Sequence, residues 1–143
     1  MNIEYKVEVK TYTIKVADGK TFISNPDMAK EILCKNFNPI QEEMNLLIIN
    51  NKNGVIDNIL LARGGHNSLT VTPAEILRQI LLTDGNRFIL AHNHPSGDCE
   101  PSDEDKSFTK RIDKAARMIG IDLLDHIVYS SDDVYSFRQN QLI

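Results

Sequence analysis

The sequence predicts an α/β fold, a single-domain sandwich in which helices cover a central β-sheet. Short apolar runs such as LLII, ILLA and RFILA read as buried strands, and they alternate with amphipathic segments that carry helix-capping residues. The chain has 143 residues and no repeat or proline/serine-rich linker divides it, so one domain is expected over residues 1–143. In open α/β sheets, ligands bind where a strand ends and the next helix begins.

The overall composition is that of a soluble globular protein, with 41% hydrophobic and 25% charged residues. No apolar run approaches the roughly 20 residues needed to span a bilayer, and the N-terminus lacks a signal-peptide core, so a cytoplasmic location without membrane contact is expected. Cys34 and Cys99 are too few for a disulfide framework or a four-thiolate zinc site. The net charge of −4 disfavours an obligate nucleic-acid binder.

The first half of the chain alternates strand and helix patterns. Residues 3–16 alternate and are rich in β-branched and aromatic side chains, which predicts one or two strands within residues 1–24. Asn25 is a good N-cap and Pro26 suits the first helical position, so a helix begins there and is expected to end near Asn38-Pro39. Two strands then flank the turn NNKNG, and their continuous apolar runs predict burial on both faces.

The second half continues the pattern. Residues 72–75, Thr-Pro-Ala-Glu, form a capping box that opens a helix. A buried strand over residues 87–91 leads to a helix in the segment 101–120 that stops at Gly120. The basic side chains of that helix are interleaved with acids, which favours a solvated face. Residues 121–130 and 134–140 are the last two predicted strands.

Two histidines and an aspartate lie close together in the stretch AHNHPSGDCEPSDED, residues 91–105. His92 and His94 are two apart at the end of a predicted strand, so their side chains point to the same face. Asp105 falls on the first turn of the next helix. Two imidazoles and one carboxylate can hold a divalent metal and leave a position open for water, which in zinc proteins marks catalytic sites.

Each part of this motif also has a structural interpretation. Ser102 and Asp105 fit an N-cap serine with an acid in the first helical turn, and histidine pairs occur in ordinary loops. Their joint occurrence on a strand-to-helix turn favours the metal site. Zinc lowers the pKa of its bound water to about 7, but a hydrolase also needs a base and an oxyanion donor. Ser102 is the candidate donor, and Glu42 and Glu43 are the candidate bases.

The motif resembles the JAMM metalloprotease pattern, also called JAB or MPN: His-x-His, seven residues, Ser, two residues, Asp. It is more similar to the RadC-like branch, in which ILAHNHPSGD and LLDHIV are typical, and QEEMNLLIINNKNGVI resembles the stretch that carries the base. The resemblance covers residues 25–143. It implies a central mixed β-sheet flanked by helices, related to the cytidine-deaminase fold.

The resemblance also implies roles for individual residues. His92, His94 and Asp105 would hold one Zn²⁺ per chain, and Ser102 would steady the tetrahedral intermediate. Glu42 aligns best with the general base, and Glu43 is the alternative. The implied function is a zinc-dependent metallohydrolase that cleaves a peptide or isopeptide bond of a peptide or protein substrate with a metal-activated water.

Two other functions compete with this one. A deaminase is disfavoured because its zinc site uses H-x-E and P-C-x-x-C, and this chain has neither. A RadC-like DNA-repair or mobile-element accessory protein would use the metal domain as a binding module, although intact ligand positions and the acidic charge speak against it. The oligomeric state stays open.

Several other reactive side chains receive a structural interpretation. His126, in LLDHIV, is expected to pack within a strand beside Asp125 rather than behind the metal ligands. Cys99 stands where RadC-like chains usually have proline, and no role is expected for it. His66 is expected in a surface loop, where Asn67 and Ser68 could line the cleft.

Overall fold

The computed structural model describes residues 23–35, 37–64 and 71–143. The strands predicted for residues 3–16, and His66, Asn67 and Ser68, lie outside these residues. The described elements, in chain order, are α1 (Pro26–Cys34), β1 (Glu43–Ile49), β2 (Val55–Arg63), α2 (Pro73–Leu81), β3 (Arg87–Asn93), α3 (Asp103–Met118), β4 (Asp122–Tyr129) and β5 (Val134–Ser136).

The described strands form one mixed sheet in the order β2-β1-β3-β4-β5. β1 pairs antiparallel with both β2 and β3, β3 pairs parallel with β4, and β5 returns antiparallel to β4. The parallel pair is joined through α3, as a parallel connection requires. The predicted α/β fold with a mixed central sheet is therefore confirmed.

Helices cover both faces of the sheet because neighbouring side chains on each strand point to opposite sides. One face packs against α2 and α3 through a cluster that includes Leu46, Leu90, Ile80 and Ile112. The other face packs against α1 through a second cluster, in which Leu47 is fully buried. β1 is thus buried on both sides, which explains its continuous apolar run.

The helix starts are those that the capping residues predict. The Asn25 side chain accepts a hydrogen bond from the Met28 backbone at 3.0 Å, and Thr72 begins α2 with a reciprocal capping box. The end of α1 differs from the prediction, because the helix stops at Cys34 and not near Asn38-Pro39. The Asn38 side chain instead accepts from the amides of Ile40 and Gln41, which forms a turn that competes with helix.

Two strand predictions are wrong in extent. β2 is an edge strand of the described sheet, so its ILLA run is not buried on both faces, and Leu60 is 43% exposed. β5 ends at Ser136 rather than continuing to residue 140. Beyond it the backbone turns, with the amide of Asn140 bonded to the Ser136 carbonyl. The Asn140 amide is therefore satisfied within the turn and does not extend the β4 ladder.

Within the described ranges, no helix is long and apolar enough to cross a bilayer. The connection from β3 to α3 runs over the carboxyl end of the parallel β3–β4 pair. That edge is where the histidines and the aspartate of the motif meet.

Candidate metal centre

His92 and His94 converge at the carboxyl end of β3. His92 is the penultimate residue of the strand and is 5% exposed. The backbone of His94 continues the strand direction, since its amide donates to the Tyr129 carbonyl at 2.8 Å. The two side chains therefore share one face, and their Nε2 atoms lie 3.1 Å apart.

Asp105 reaches the histidines from the first turn of α3. Its Oδ2 atom lies 3.3 Å from His92 Nε2 and accepts a hydrogen bond from the Ser102 amide at 2.9 Å. Burial by itself raises the pKa of this carboxyl, but hydrogen bonding and charge at His92, together with the Ser102 cap, hold the pKa well below its ordinary value. Asp105 is therefore present as a carboxylate, the form that can bind a metal ion.

The three side chains form a group able to hold a metal ion, with one ligand atom from each and all of these atoms within 4.8 Å of one another. His94 Nδ1 lies 2.6 Å from the Asp98 carbonyl oxygen. Because a carbonyl only accepts, Nδ1 carries the proton and Nε2 presents a lone pair. Ligand atoms bound at about 2.0–2.1 Å around tetrahedral zinc lie about 3.3 Å apart, which agrees with the separations of His92 Nε2 from its two neighbours.

The two candidate bases point in different directions. Glu42 Oε1 lies 3.8 Å from His94 Nε2, and its side chain is 37% exposed. Glu43 is buried on the other face of the sheet, where its carboxylate accepts from Arg63 Nε at 2.8 Å and from Asn38 Nδ2 at 3.0 Å. The geometry places Glu42, and not Glu43, beside the histidine pair.

Asn93 ties the segment that carries Glu42 to the strand that carries the histidines. It is fully buried, and its side chain points away from the metal group because it alternates with those of His92 and His94. Its Oδ1 accepts from the Glu43 amide, and its Nδ2 donates to the Gln41 carbonyl. Asn93 thus fixes both peptide groups that flank Glu42. Nothing in the sequence pattern indicated this role for Asn93.

Ser102 lies at the N-cap of α3, as the sequence predicts. Its Oγ accepts from the Asp105 amide at 3.1 Å, while the Asp105 carboxylate accepts from the Ser102 backbone amide. The structural interpretation and the metal interpretation of this pair are therefore compatible. The serine is exposed, and a hydroxyl that accepts one bond still has a proton to donate.

Cys99 lies outside the three-residue ligand group. Its side chain is buried against Val128 and Phe137, and its Sγ is 3.6 Å from the Asp133 carbonyl. Burial raises the pKa of this thiol. A packed, protonated thiol agrees with the expectation that Cys99 has no part in the site.

His126 lies behind the ligands, contrary to the sequence-based expectation. Its Nε2 atom is 2.8 Å from His92 Nδ1, and the residue is fully buried. The contact arises because β4 pairs in parallel with β3, with Leu90 opposite His126. That pairing register cannot be read from the sequence, so the position of this histidine behind the ligands was missed.

The fold and the site together define a JAB-type α/β domain with a three-residue group able to hold a metal ion. A family model described as a RadC-like JAB domain matches residues 23–142. The chain belongs to this RadC-like JAB domain family.

Named relatives agree with that assignment. The UPF0758 protein of Finegoldia magna is 37% identical over 118 residues, which cover 82% of this chain and 53% of the relative. The UPF0758 protein of Aquifex aeolicus is 36% identical over 127 residues, covering 87% of this chain and 55% of the relative. The chain therefore spans about half the length of the curated relatives it matches.

Proposed function

We propose that this domain is a zinc-dependent metallohydrolase that cleaves an amide bond, either a peptide or an isopeptide bond. The observation that carries the proposal is the convergence of three side chains, His92, His94 and Asp105, on one point with Glu42 at its border. Nitrogen and oxygen donors in a set of three, with a fourth position open, are the ligand chemistry of catalytic zinc.

The ligand residues would hold the ion, which when bound supplies an acidic water and a Lewis acid for the substrate carbonyl. Glu42 is the residue to which we assign the role of general base. Its partly exposed carboxylate lies 3.8 Å from His94 Nε2, near enough to take a proton from an attacking water and return it to the leaving amine. Glu43 cannot do this, because its carboxylate is engaged by Arg63 and Asn38 on the opposite face.

Ser102 is the residue to which we assign the role of oxyanion donor. Its Oγ is fixed at the helix start by the Asp105 amide, so its remaining hydroxyl proton is available to the carbonyl oxygen on which negative charge develops. A donor held by a helix cap needs little reorganisation during the reaction, which is what makes such a bond effective in the transition state.

The first experiment measures metal content by elemental analysis on protein purified without added metal. About one zinc per chain is expected for wild type, since three ligands of this kind form one site. Asp105→Ala should lose it. Asp103→Ala is the matched control, because Asp103 is an exposed acid in the same helical turn. Equal and negligible zinc in all three proteins, even after incubation with zinc, would refute the proposal.

The second experiment follows cleavage of a panel of unstructured peptides and isopeptide-linked peptide conjugates by the zinc-loaded protein. Glu42→Gln should abolish cleavage and keep the zinc, because glutamine preserves the shape and removes the base. Glu43→Gln should retain cleavage. Full activity in the Glu42 variant on a cleaved substrate would show that the base is assigned wrongly.

A further inference from the structure

A continuous line of hydrogen bonds runs behind His92, on the side away from the proposed metal. His92 Nδ1 is 2.8 Å from His126 Nε2, and His126 Nδ1 is 2.6 Å from Thr109 Oγ1. Thr109 Oγ1 is in turn 2.6 Å from the backbone carbonyl oxygen of Asp105. The line thus begins at the ring of one ligand and ends at the backbone of another.

The carbonyl at the end of the line sets the direction of every bond in it. A carbonyl oxygen only accepts, so the Thr109 hydroxyl must donate its single proton to the Asp105 carbonyl. The threonine oxygen is then an acceptor toward His126, and the proton between them must sit on His126 Nδ1. A neutral His126 has no second ring proton, so its Nε2 accepts, and the proton between the two rings belongs to His92 Nδ1.

The surroundings of His126 keep it neutral. Both His126 and Thr109 are fully buried, and the His126 ring stacks on Phe137 with centroids 4.6 Å apart. A buried ring stacked on an aromatic side chain has no water to stabilise a positive charge, so the neutral form is favoured. No described carboxylate accepts a hydrogen bond from its ring nitrogens, which are both taken by the line itself.

We propose that Thr109 and His126 are positioning residues that hold the proton of His92 on Nδ1 and so leave His92 Nε2 free to bind the metal. This positioning role rests on the proposed function, because it matters only if His92 Nε2 binds a metal. Metal-binding histidines usually bond to a carboxylate, a carbonyl or a water through the other nitrogen. Here a second histidine takes that place, and its own tautomer is set by a threonine whose hydroxyl donates to the Asp105 backbone carbonyl.

The test compares Thr109→Val with Thr109→Ser. Valine has the shape of threonine without the hydroxyl, so His126 Nδ1 loses its acceptor and its proton is expected to move to Nε2, where it donates to His92. His92 must then carry its proton on Nε2, in the place of the metal. Serine restores the hydroxyl and should restore the wild-type arrangement.

Two measurements read the result. Long-range nitrogen–proton NMR spectra of the metal-free proteins report which nitrogen of His92 is protonated. Wild type and Thr109→Ser should show the Nδ1–H form, and Thr109→Val the Nε2–H form. Competition with a chromogenic chelator then gives the zinc affinity, which should fall about 10- to 100-fold in the valine variant only.

A second variant guards against a trivial loss of folding. His126→Phe keeps an aromatic ring to stack on Phe137 and removes the acceptor of His92, so it should lower the zinc affinity to a similar degree. The double variant with Thr109→Val should lose no more than His126→Phe alone, because both changes act through one line of bonds. Additive losses would point to two unrelated structural defects and overturn the proposal.

The outcomes separate this proposal from the proposed function. An Nδ1–H form of His92 and unchanged zinc affinity in Thr109→Val would overturn the positioning role while leaving the hydrolase intact. The NMR spectra are recorded on metal-free protein, so they show whether Thr109 sets the tautomer of His92 even if wild type binds no zinc. If wild type bound no zinc but showed the expected tautomers, the missing zinc would refute the proposed hydrolase. The hydrogen-bond line would still stand.

Discussion

The side-chain oxygen of Asn93 lies 2.6 Å from the backbone nitrogen of Glu43, a residue 50 positions away in the chain. The side-chain nitrogen of Asn93, Nδ2, also donates to the backbone carbonyls of Asn38 and Gln41. The end of β3 therefore presents His92 and His94 on one face of the sheet. On the opposite face, Asn93 holds the backbone on either side of Glu42, the proposed base. This buried side chain therefore helps to set the position of Glu42 relative to the ligands, together with the Gly64 amide, which donates to the Glu42 carbonyl.

Replacing Asn93 by aspartate should separate catalysis from metal binding. The new carboxylate would keep an acceptor for the Glu43 amide but would turn a charged oxygen toward two carbonyls, which displaces the segment 38–43. A displacement of about 1 Å costs up to roughly 100-fold in rate, so Asn93→Asp should cleave substrate at least about tenfold more slowly. Its zinc affinity, measured by chelator competition, should stay within about threefold of wild type, because no ligand has changed.

Asn58→Asp is the control for that variant, since Asn58 is exposed on the edge strand β2. It should leave both rate and affinity unchanged. A parallel loss of zinc and of rate in Asn93→Asp would show that the asparagine supports the whole site rather than the base.

Ser102→Ala and Thr72→Ala should be equally destabilising but differ in their effect on catalysis. Each residue closes a reciprocal capping box, at α3 and α2 respectively. Losing the side chain should lower the free energy of unfolding by about 1 kcal/mol in either case, as measured by urea denaturation. Only Ser102→Ala should lower the cleavage rate, by about 10²- to 10³-fold for a lost oxyanion donor.

Zinc should remain bound in Ser102→Ala, because the backbone amide of Ser102 still donates to the Asp105 carboxylate. A cleavage rate equal to that of Thr72→Ala would reduce Ser102 to a helix cap.

Zinc affinity should fall steeply as the pH is lowered from about 7.5 to 5.5. Histidine binds metals in the neutral form, and an ordinary imidazole takes up a proton near about pH 6.5. Asp105 does not contribute in this window. Its folded-state pKa lies below the ordinary value of 3.8, so its carboxylate stabilises the folded protein above that value and loses this effect only as the pH falls through the lower pKa.

Chelator competition across this range tests the assignment. Asp105→Asn should weaken binding at every pH without changing the slope of affinity against pH. A flatter slope in that variant would show that the carboxylate itself takes up a proton near neutral pH.

Leu47→Ala should be much more destabilising than Leu60→Ala. Leu47 is fully buried in central strand β1, whereas Leu60 is 43% exposed on β2. A large cavity in a core costs about 2–5 kcal/mol, and a half-exposed edge position is expected to cost about 1 kcal/mol or less. Thermal and urea unfolding of the two variants measure the difference, and similar losses would mean that β2 is covered on its outer side.

The ligand group could be predicted from sequence because its geometry is local. His92 and His94 lie two apart at a strand end, so strand periodicity places them on one face, and Asp105 lies in the first turn of the next helix, a short loop away. The helix starts at Asn25, Thr72 and Ser102 were predictable for the same reason, since capping involves residues three positions apart.

Features that depend on strand pairing could not be predicted in the same way. The two neighbouring acids, Glu42 and Glu43, face opposite sides of the sheet, and only the pairing of Met44 with His92 decides which of them meets the histidines. The contact between His126 and His92 depends likewise on the parallel register of β3 and β4. The edge position of β2 depends on strand order, which an apolar run does not reveal.

The nearness of the three ligands in the chain has a consequence for the order of folding. All of them belong to residues 92–105, so the β3–α3 unit alone brings them together by closing a short loop at small entropic cost. Glu42 arrives only when β1 pairs with β3, a contact between distant parts of the chain that forms more slowly. Under the proposed function, a nascent domain would therefore bind zinc, and gain stability from it, before its general base is in place.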